Sequence, residues 1–351
     1  MVKRSKSRLL IVNHCLDLDD SILSHQASTV LELAEHFPKV LVLTGRIGRF
    51  ETPANVRVIS TRWVNSKRLE SALRFQLCGL KALISFRPDV VFTHMADVQA
   101  ALLAPIVRIL GIRHVFWYAH AYKSSYLLFS SIFVNSLVSS TSGSMPIQSK
   151  KVHLIGQSID SRLFNQAKFS VGSLKSYLHV GRIDRSKQID LICRVFLGQF
   201  DELSTSNLTF IGSSVNQYSE SYKKELLKKY KKKIESKTIQ FLAPVPRNSL
   251  PVIYAQYDVF IHAFSGSLDK SLLEATAVGL PVVTLNSEYI TEFGSWGAEG
   301  VENVQLENEL SAFLNKTKSE VDLEITRRSN LVRQRHSQDS WISKLVTLLS
   351  V

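Results

Sequence analysis

The chain is predicted to be an α/β protein built from two doubly wound domains, on three observations. Short apolar segments alternate with amphipathic ones along the whole length, the pattern of parallel strands covered on both faces by helices. Its 351 residues exceed one ordinary core and suit two domains of roughly 150–200 residues each. A polar, Ser- and Lys-containing stretch at residues 165–176 interrupts the alternation. It sets an N-terminal domain at 1–168 and a C-terminal domain at 169–351, with the last helix in a position to pack back on the first.

In the first half, residues 9–13, 39–44, 56–60, 90–94, 114–119 and 152–156 read as strands. Between them Leu69, Leu73, Leu77, Leu80 and Ile84 recur at helical spacing, as do the apolar residues of 98–110. In the second half strands fall at 177–181, 208–212, 239–242, 259–262 and 281–284, and the chain closes on helices at 322–337 and 340–349. Two such domains joined by one linker leave a cleft between their strand ends, where a ligand would sit.

Composition excludes several classes. With 45% hydrophobic and 21% charged residues the chain folds rather than staying disordered. Cys15, Cys78 and Cys193 are scattered with no CxxC pair, which fits reduced thiols better than a disulfide or zinc site. The apolar run after the basic N-terminus is too short for a signal peptide. The longest apolar stretch, 100–112, is interrupted by Pro105 and Arg108 and falls short of the ~20 residues of a transmembrane helix. A cytoplasmic location is expected.

The net charge of +13 draws heavily on residues 223–233, where Leu226, Leu227, Tyr230 and Ile234 share one helical face and lysines take the others. That run reads as a solvated helix face or as a peripheral contact with an anionic membrane, where each basic residue adds ~1 kcal/mol. Nucleic acid is not an expected partner, since no aromatic-and-basic module accompanies the charge.

Two segments carry candidate chemistry. In Val180-Gly-Arg-Ile-Asp-Arg-Ser-Lys187 a strand ends at Gly181 and a helix begins near Ile189. The loop between them offers backbone N–H groups, a helix start, Arg182 and Lys187 to an anion, for which a diphosphate is the natural guest. In Ser265-Gly-Ser-Leu-Asp-Lys-Ser-Leu-Leu-Glu274 a small-residue loop leads into a helix carrying one carboxylate, and Gly279-Leu-Pro stops it before a buried strand. Alone, Glu274 also fits a carboxylate placed near a helix start by the macrodipole.

These two segments occur in order with Leu208-Thr-Phe-Ile-Gly212, Ile239-Gln-Phe-Leu-Ala-Pro-Val245 and Leu250-Pro-Val-Ile-Tyr-Ala-Gln-Tyr-Asp-Val-Phe260. Together they resemble the nucleotide-sugar domain of family 4 glycosyltransferases, retaining enzymes of the GT-B fold with two Rossmann-like domains. Trp117-Tyr-Ala-His120 and the segment from Val152 to Phe164 look like family segments in the first half. The resemblance implies that Arg182 and Lys187 hold the donor diphosphate and stabilise the charge developing as the sugar departs. It implies that Glu274 holds the ribose hydroxyls and that the loop at Val245 faces the base. Gly181, Gly212 and the loop of Gly266, Ser267, Leu268, Asp269 and Lys270 complete the implied donor side. No metal or other cofactor is expected, since the two cations take a divalent ion's place.

The sequence departs from the family in two places. Gly266 stands where members usually carry a second Glu, and the loop resembles a Gly-Ser-x-Asp-Lys variant found in a subset of them. Asp269 or Lys270 would supply the missing polar contact, or Asp269 simply caps the helix. In the first domain the usual Gly-Gly loop is replaced by residues 16–25. There Asp17-Leu-Asp19 imitates a metal-binding triplet without its context. His120, closing an apolar strand, matches a family position whose His lies against the donor sugar; His94 and His25 are further acceptor-side candidates.

The expected reaction is therefore a metal-independent, retaining transfer from a nucleotide-sugar donor to an acceptor hydroxyl of a surface polysaccharide or lipid-linked glycan. The attack is front-face, with the leaving phosphate taking the acceptor's proton. A nucleotide-sugar epimerase shares the fold but needs acid/base carboxylates that the sequence does not offer. A phosphorylase-type enzyme would need a longer chain. A donor-binding scaffold without catalysis is the reading that Gly266 and the missing Gly-Gly loop keep open.

Overall fold

The computed structural model describes residues 7–20, 23–165, 174–200, 205–297 and 304–350. The chain divides into a first unit, Met1–Gly156 with Asp339–Val351, and a second, Gln157–Gln338.

In the first unit the run Leu9-Leu-Ile-Val12 is buried on both faces, which only a central strand allows. It lies in β1 (Arg8–Leu16), flanked by β2 (Lys39–Ile47) and β4 (Val90–His94), with β3 (Val56–Ser60), β5 (Arg113–Trp117), β6 (Ser136–Ser139) and β7 (Val152–Leu154) completing the sheet. The order is β3-β2-β1-β4-β5-β6-β7, all parallel. Helix α1 (Ser24–His36) covers one face, joining Val30 and Leu33 to Leu9 and Ile11. On the other lie α2 (Arg68–Phe86) and α3 (Asp97–Ile109), with Phe75, Leu83, Leu103 and Val107 against Leu10 and Val12. Helix α4 (Ser125–Phe133) adds Leu127 beside Ala104 and Phe116.

The second unit opens with β8 (Ser176–Val180), α5 (Ile189–Gln199), β9 (Asn207–Ile211), α6 (Gln217–Lys229), α7 (Lys231–Glu235), β10 (Ile239–Leu242) and α8 (Leu250–Tyr254). It continues through β11 (Val259–His262), α9 (Lys270–Ala277), β12 (Val282–Thr284), α10 (Ser287–Phe293), α11 (Leu306–Leu314) and α12 (Lys318–Arg335). Its parallel sheet runs β10-β9-β8-β11-β12. The last helix, α13 (Gln338–Leu349), buries Trp341 and Leu345 in the first unit's core with Leu9 and Trp117.

Four features differ from the sequence reading. The division falls at 156/157, ahead of 168/169, because Ile159 exchanges backbone bonds with His336 and Gln338 and Phe164 packs beside Tyr254; residues 166–173 of the polar stretch lie outside the described residues. Strand β6 escapes the reading since Ser-Leu-Val-Ser offers only two apolar side chains. Helix α2 is present, but Leu69, Leu73, Leu77 and Ile84 face outward, and Ser71, Phe75, Gly79, Ala82 and Leu83 form its buried side. A Cβ at Gly79 would press on Leu103, so α2 and α3 meet through small residues. The lysine-rich helix breaks at Tyr230, which is buried with Leu226 while Leu227 is exposed. Lys229 pairs with Asp190 at 2.6 Å and Lys231 with Glu235 at 3.8 Å.

Candidate functional site

In the second sheet, β9 and β10 leave β8 on one side, and β11 and β12 lie on the other. The carboxyl ends of β8 and β11 therefore border a topological switch point, where open α/β sheets bind their ligands. The two predicted segments follow these two strands.

After β8 the chain is held close to its neighbour. Gly181 N–H donates to Ile211 O at 3.0 Å and Ile183 N–H to Ser213 O at 3.0 Å. Gly212 has φ +157°, and a Cβ there would overlap the Gly181 carbonyl. Arg182 is exposed, its guanidinium 3.5 Å from Asp184. Asp184 caps the following turn by accepting from Ser186 N–H at 2.9 Å. That turn ends at Lys187, which is buried. Its ammonium pairs with the Asp269 carboxylate and lies 3.9 Å over the Phe264 ring. Gln188 Nε2 donates to Ala263 O at 2.7 Å, so two side-chain contacts clasp the β8 loop to the β11 loop.

Asp269 occupies the N-cap position of α9 but makes no side-chain cap bond, which removes the capping reading. Its Oδ2 instead receives Lys187 and His262 Nε2, the latter at 3.3 Å. His262 Nδ1 faces the Thr284 hydroxyl at 3.2 Å, an arrangement satisfied when Nε2 carries the proton and donates to Asp269. Burial alone would push Asp269 up; the His262 hydrogen bond and the Lys187 charge more than offset it, holding the carboxyl well below the usual range. Burial pulls His262 down. It takes the stacked His179 to about 3, with His262 adding to the effect. His179 Nδ1–H donates to Ile261 O at 3.0 Å. Phe241, Phe210 and His179 continue this aromatic row across the sheet at 4.9 and 5.8 Å.

Glu274 sits in the second turn of α9 and is buried, so a helix-start dipole does not explain it. Arg247 Nη2 donates to Glu274 Oε1 at 2.6 Å. Arg247 follows the loop holding Val245, itself half-buried. Burial pushes Glu274 up against the charges of Arg247 and Lys270, and burial with Arg247 pulls Lys270 down. The loop from Phe264 to Ser267 is pinned by Asn286, whose Nδ2 donates to Phe264 O at 2.9 Å and Gly266 O at 3.0 Å. Leu268 is a core residue and presents only its backbone. A Cβ at Gly266 would run into the Phe264 ring: the aromatic ring stands where a larger residue at 266 would project.

In the first unit, His94 ends β4 and is buried among Phe92, Trp117 and Trp341, with His25 of α1 at 5.5 Å between ring centroids. His120 lies three residues beyond β5, in an exposed loop rather than at a strand end. Its Nδ1 accepts from Tyr122 N–H at 3.1 Å. Asp19 is engaged by Arg49 at 2.6 Å, and Asp17 accepts from the backbone of Asp19 and Arg49. Among the described residues no group of three or more His, Cys, Asp or Glu could hold a metal ion.

The structure thus gathers Gly181, Lys187, Asp269 and the 266–270 loop around the β8 and β11 ends, with Arg182 at the rim and Glu274 further along α9. Sequence reasoning missed His262, Phe264, Arg247 and Asn286. His262 closes a strand, the very argument applied to His94 and His120, and would have been found by it. In the first unit it missed His14, whose Nε2 lies 3.2 Å from Met95 O, and the buried Asn13, whose amide atoms have no partner.

Two doubly wound domains with parallel sheets are the architecture of the GT-B fold, and solved structures agree. HepE of Anabaena, solved in complex with UDP, superposes with a TM-score of 0.74 at 14% identity, covering 98% of this chain and 99% of that one. Sucrose-phosphate synthase of Thermosynechococcus elongatus gives 0.74 at 12% identity over 98% of each chain. A glycosyltransferase from Rickettsia africae gives 0.72 at 11% identity over 98% of each. No curated protein matches the sequence significantly. Residues 175–316 match the family described as Glycosyl transferases group 1. That match lies within the second unit.

Proposed function

We propose that the protein is a metal-independent, retaining glycosyltransferase that moves a sugar from a nucleotide-sugar donor to a hydroxyl of a surface polysaccharide or lipid-linked glycan. The observation that carries this reading is the clasp of Lys187 and Asp269 across the ends of β8 and β11. An ammonium has three donors, so one held by Asp269 still turns N–H groups toward a diphosphate. Arg182, loosely engaged by Asp184, closes on the same anion from the rim. Such preset cations stabilise a leaving phosphate without reorganising as charge develops.

Solved structures of HepE with UDP and with UDP-glucose support a nucleotide-sugar donor for this related fold. The retaining route is supported by the local carboxylates: Asp184, Asp269 and Glu274 are each paired with a cation, which ill suits a nucleophile. Glu274 would exchange part of its contact with Arg247 for the ribose hydroxyls. His120 would contact the donor sugar, and His25 and His94 shape the acceptor side.

The test is incubation with UDP-, GDP- and ADP-sugars, following slow donor hydrolysis and the anomeric configuration of any transfer product by NMR. One donor should be turned over with retention. Inversion would overturn the mechanism. Nucleotide binding without hydrolysis or transfer would establish the scaffold reading, which Gly266 in place of the second Glu keeps open.

A further inference from the structure

The stripe that the sequence offers as the apolar side of α2 is its solvent side. Leu69, Leu73, Leu77 and Ile84 are between 68% and 84% exposed. The path β3→β4→β5→β6 steps across the sheet in one direction, and right-handed crossovers then place α2, α3 and α4 on the same face. Helix α4 adds exposed Phe129 and Ile132, and α3 ends on Ile109, 84% exposed. Of the twenty large hydrophobic side chains exposed among the described residues, ten lie on these three helices or at their ends. Soluble monomers rarely concentrate apolar surface in this way without a partner.

The charge around the stripe identifies the partner. Residues 62–135 carry nine Lys and Arg against three Asp and Glu. The three acids are all engaged: Glu70 by Arg74, Asp89 by Arg8 and Asp97 by the Ser124 hydroxyl. Lys81, Arg87 and Arg108 are exposed beside Ile84 and Ile109. A two-fold contact with a second copy would set this positive surface against itself. An anionic bilayer complements both halves of it, with leucines entering the headgroup boundary and Lys and Arg meeting phosphates. We propose that the outer face of α2, with the ends of α3 and α4, docks the protein on an anionic membrane surface.

The proposal moves the membrane contact away from residues 223–233. There Lys229 and Lys231 are ion-paired, and no comparable stripe accompanies the lysines.

The test is co-sedimentation of the full-length protein with vesicles of phosphatidylglycerol and phosphatidylcholine, and with phosphatidylcholine alone. Binding is expected only with the anionic vesicles, and weaker at high salt. Leu73→Glu with Leu77→Glu should weaken it by roughly tenfold or more. Both leucines are exposed, so an unchanged melting temperature separates this loss from unfolding. Lys228→Glu with Lys232→Glu should leave binding unchanged. Indifference of the wild-type protein to anionic vesicles overturns the proposal, as does undiminished binding by the leucine variant or loss of binding in the lysine variant. A concentration-dependent dimer that the leucine variant abolishes, without vesicle binding, assigns the face to a second copy and overturns it too.

Discussion

The switch points of the two sheets are topologically alike and chemically different. At β8 and β11 the side chains are charged, buried and paired: Lys187 with Asp269, Arg247 with Glu274, and His262 as second partner of Asp269. At β1 and β4 the inward side chains are histidines set among aromatic rings, and the carboxylates beyond β1 turn to Arg46 and Arg49. His94 lies among Phe92, Trp117 and Trp341, and burial pulls His14 below its ordinary range. One Rossmann-like scaffold can thus be tuned for an anion or for a neutral polar group by the few residues just beyond its strands. Preset charge belongs where a diphosphate arrives and departs. Sugar hydroxyls need hydrogen-bonding groups and apolar walls.

The sharpest way to break this contrast is to remove one cation. Lys187→Ala should lower kcat for transfer or donor hydrolysis by about 10²–10³-fold, equivalent to roughly 3–4 kcal/mol, and weaken nucleotide binding. His120→Ala should lower kcat while leaving nucleotide affinity unchanged, as isothermal titration with the nucleoside diphosphate would show. Full activity in the lysine variant would end the diphosphate assignment. Equal losses of nucleotide affinity in both variants would erase the distinction between the two switch points.

Acid should act unequally on the two units. His179 and His262 in the second unit and His114 in the first are buried and kept neutral, His179 and His114 with values pulled down to about 3. The unfolded chain binds protons at these sites from about pH 6.5, while the folded chain does not. Stability therefore falls as pH drops from about 6.5 toward 3, by about 1.4 kcal/mol per pH unit for each fully shifted His. Asp269 has the opposite timing: its lowered value keeps its contribution intact until pH falls below about 4. Between pH 6.5 and 4 the loss is a histidine effect; of the four histidines pulled down, His179 and His262 of the second unit and His114 of the first are fully buried, while His14 of the first is only part-buried. Urea denaturation at pH 7 and 5, with hydrogen exchange resolving the units, should show the second unit losing more. Equal losses would mean that the His179–His262 stack does not set acid stability.

Much of this arrangement was legible in the sequence because it is local. Apolar runs such as Leu9–Val12 announce central strands, and Gly181 with Lys187 announces a strand-to-helix loop whatever surrounds it. What the sequence concealed was which partner each group would meet. Asp269 reads equally well as a cap, and only the fold carries it to Lys187, 82 residues away. The Leu69–Ile84 spacing reports periodicity but not direction. Its helix turns outward because Ser71, Gly79 and Ala82 allow closer approach to α3 than leucines would. Residues 157–165 read as the end of the first domain, yet their backbone bonds to the end of α12 make them part of the second unit.

Gly266 gives the finest test of how closely the charged switch point is fitted. A side chain at 266 meets the Phe264 ring, and that ring also lies under the Lys187 ammonium. Gly266→Glu should therefore not behave as a simple restoration of the family's second carboxylate. The new side chain has to displace the ring, an overpacking cost of about 1–3 kcal/mol, and displacement removes a cation–π contact worth about 0.5–1 kcal/mol. A melting temperature lowered by several degrees is expected, on the scale of about 2–4 °C per kcal/mol for a unit of this size. Adding Phe264→Ala makes room for the carboxylate, so the double variant should be more stable than the sum of the two single changes predicts. Thermal unfolding of the four proteins in the cycle measures that coupling directly. Strict additivity would mean that ring and position 266 are independent, and Phe264 would then be no substitute for the missing Glu.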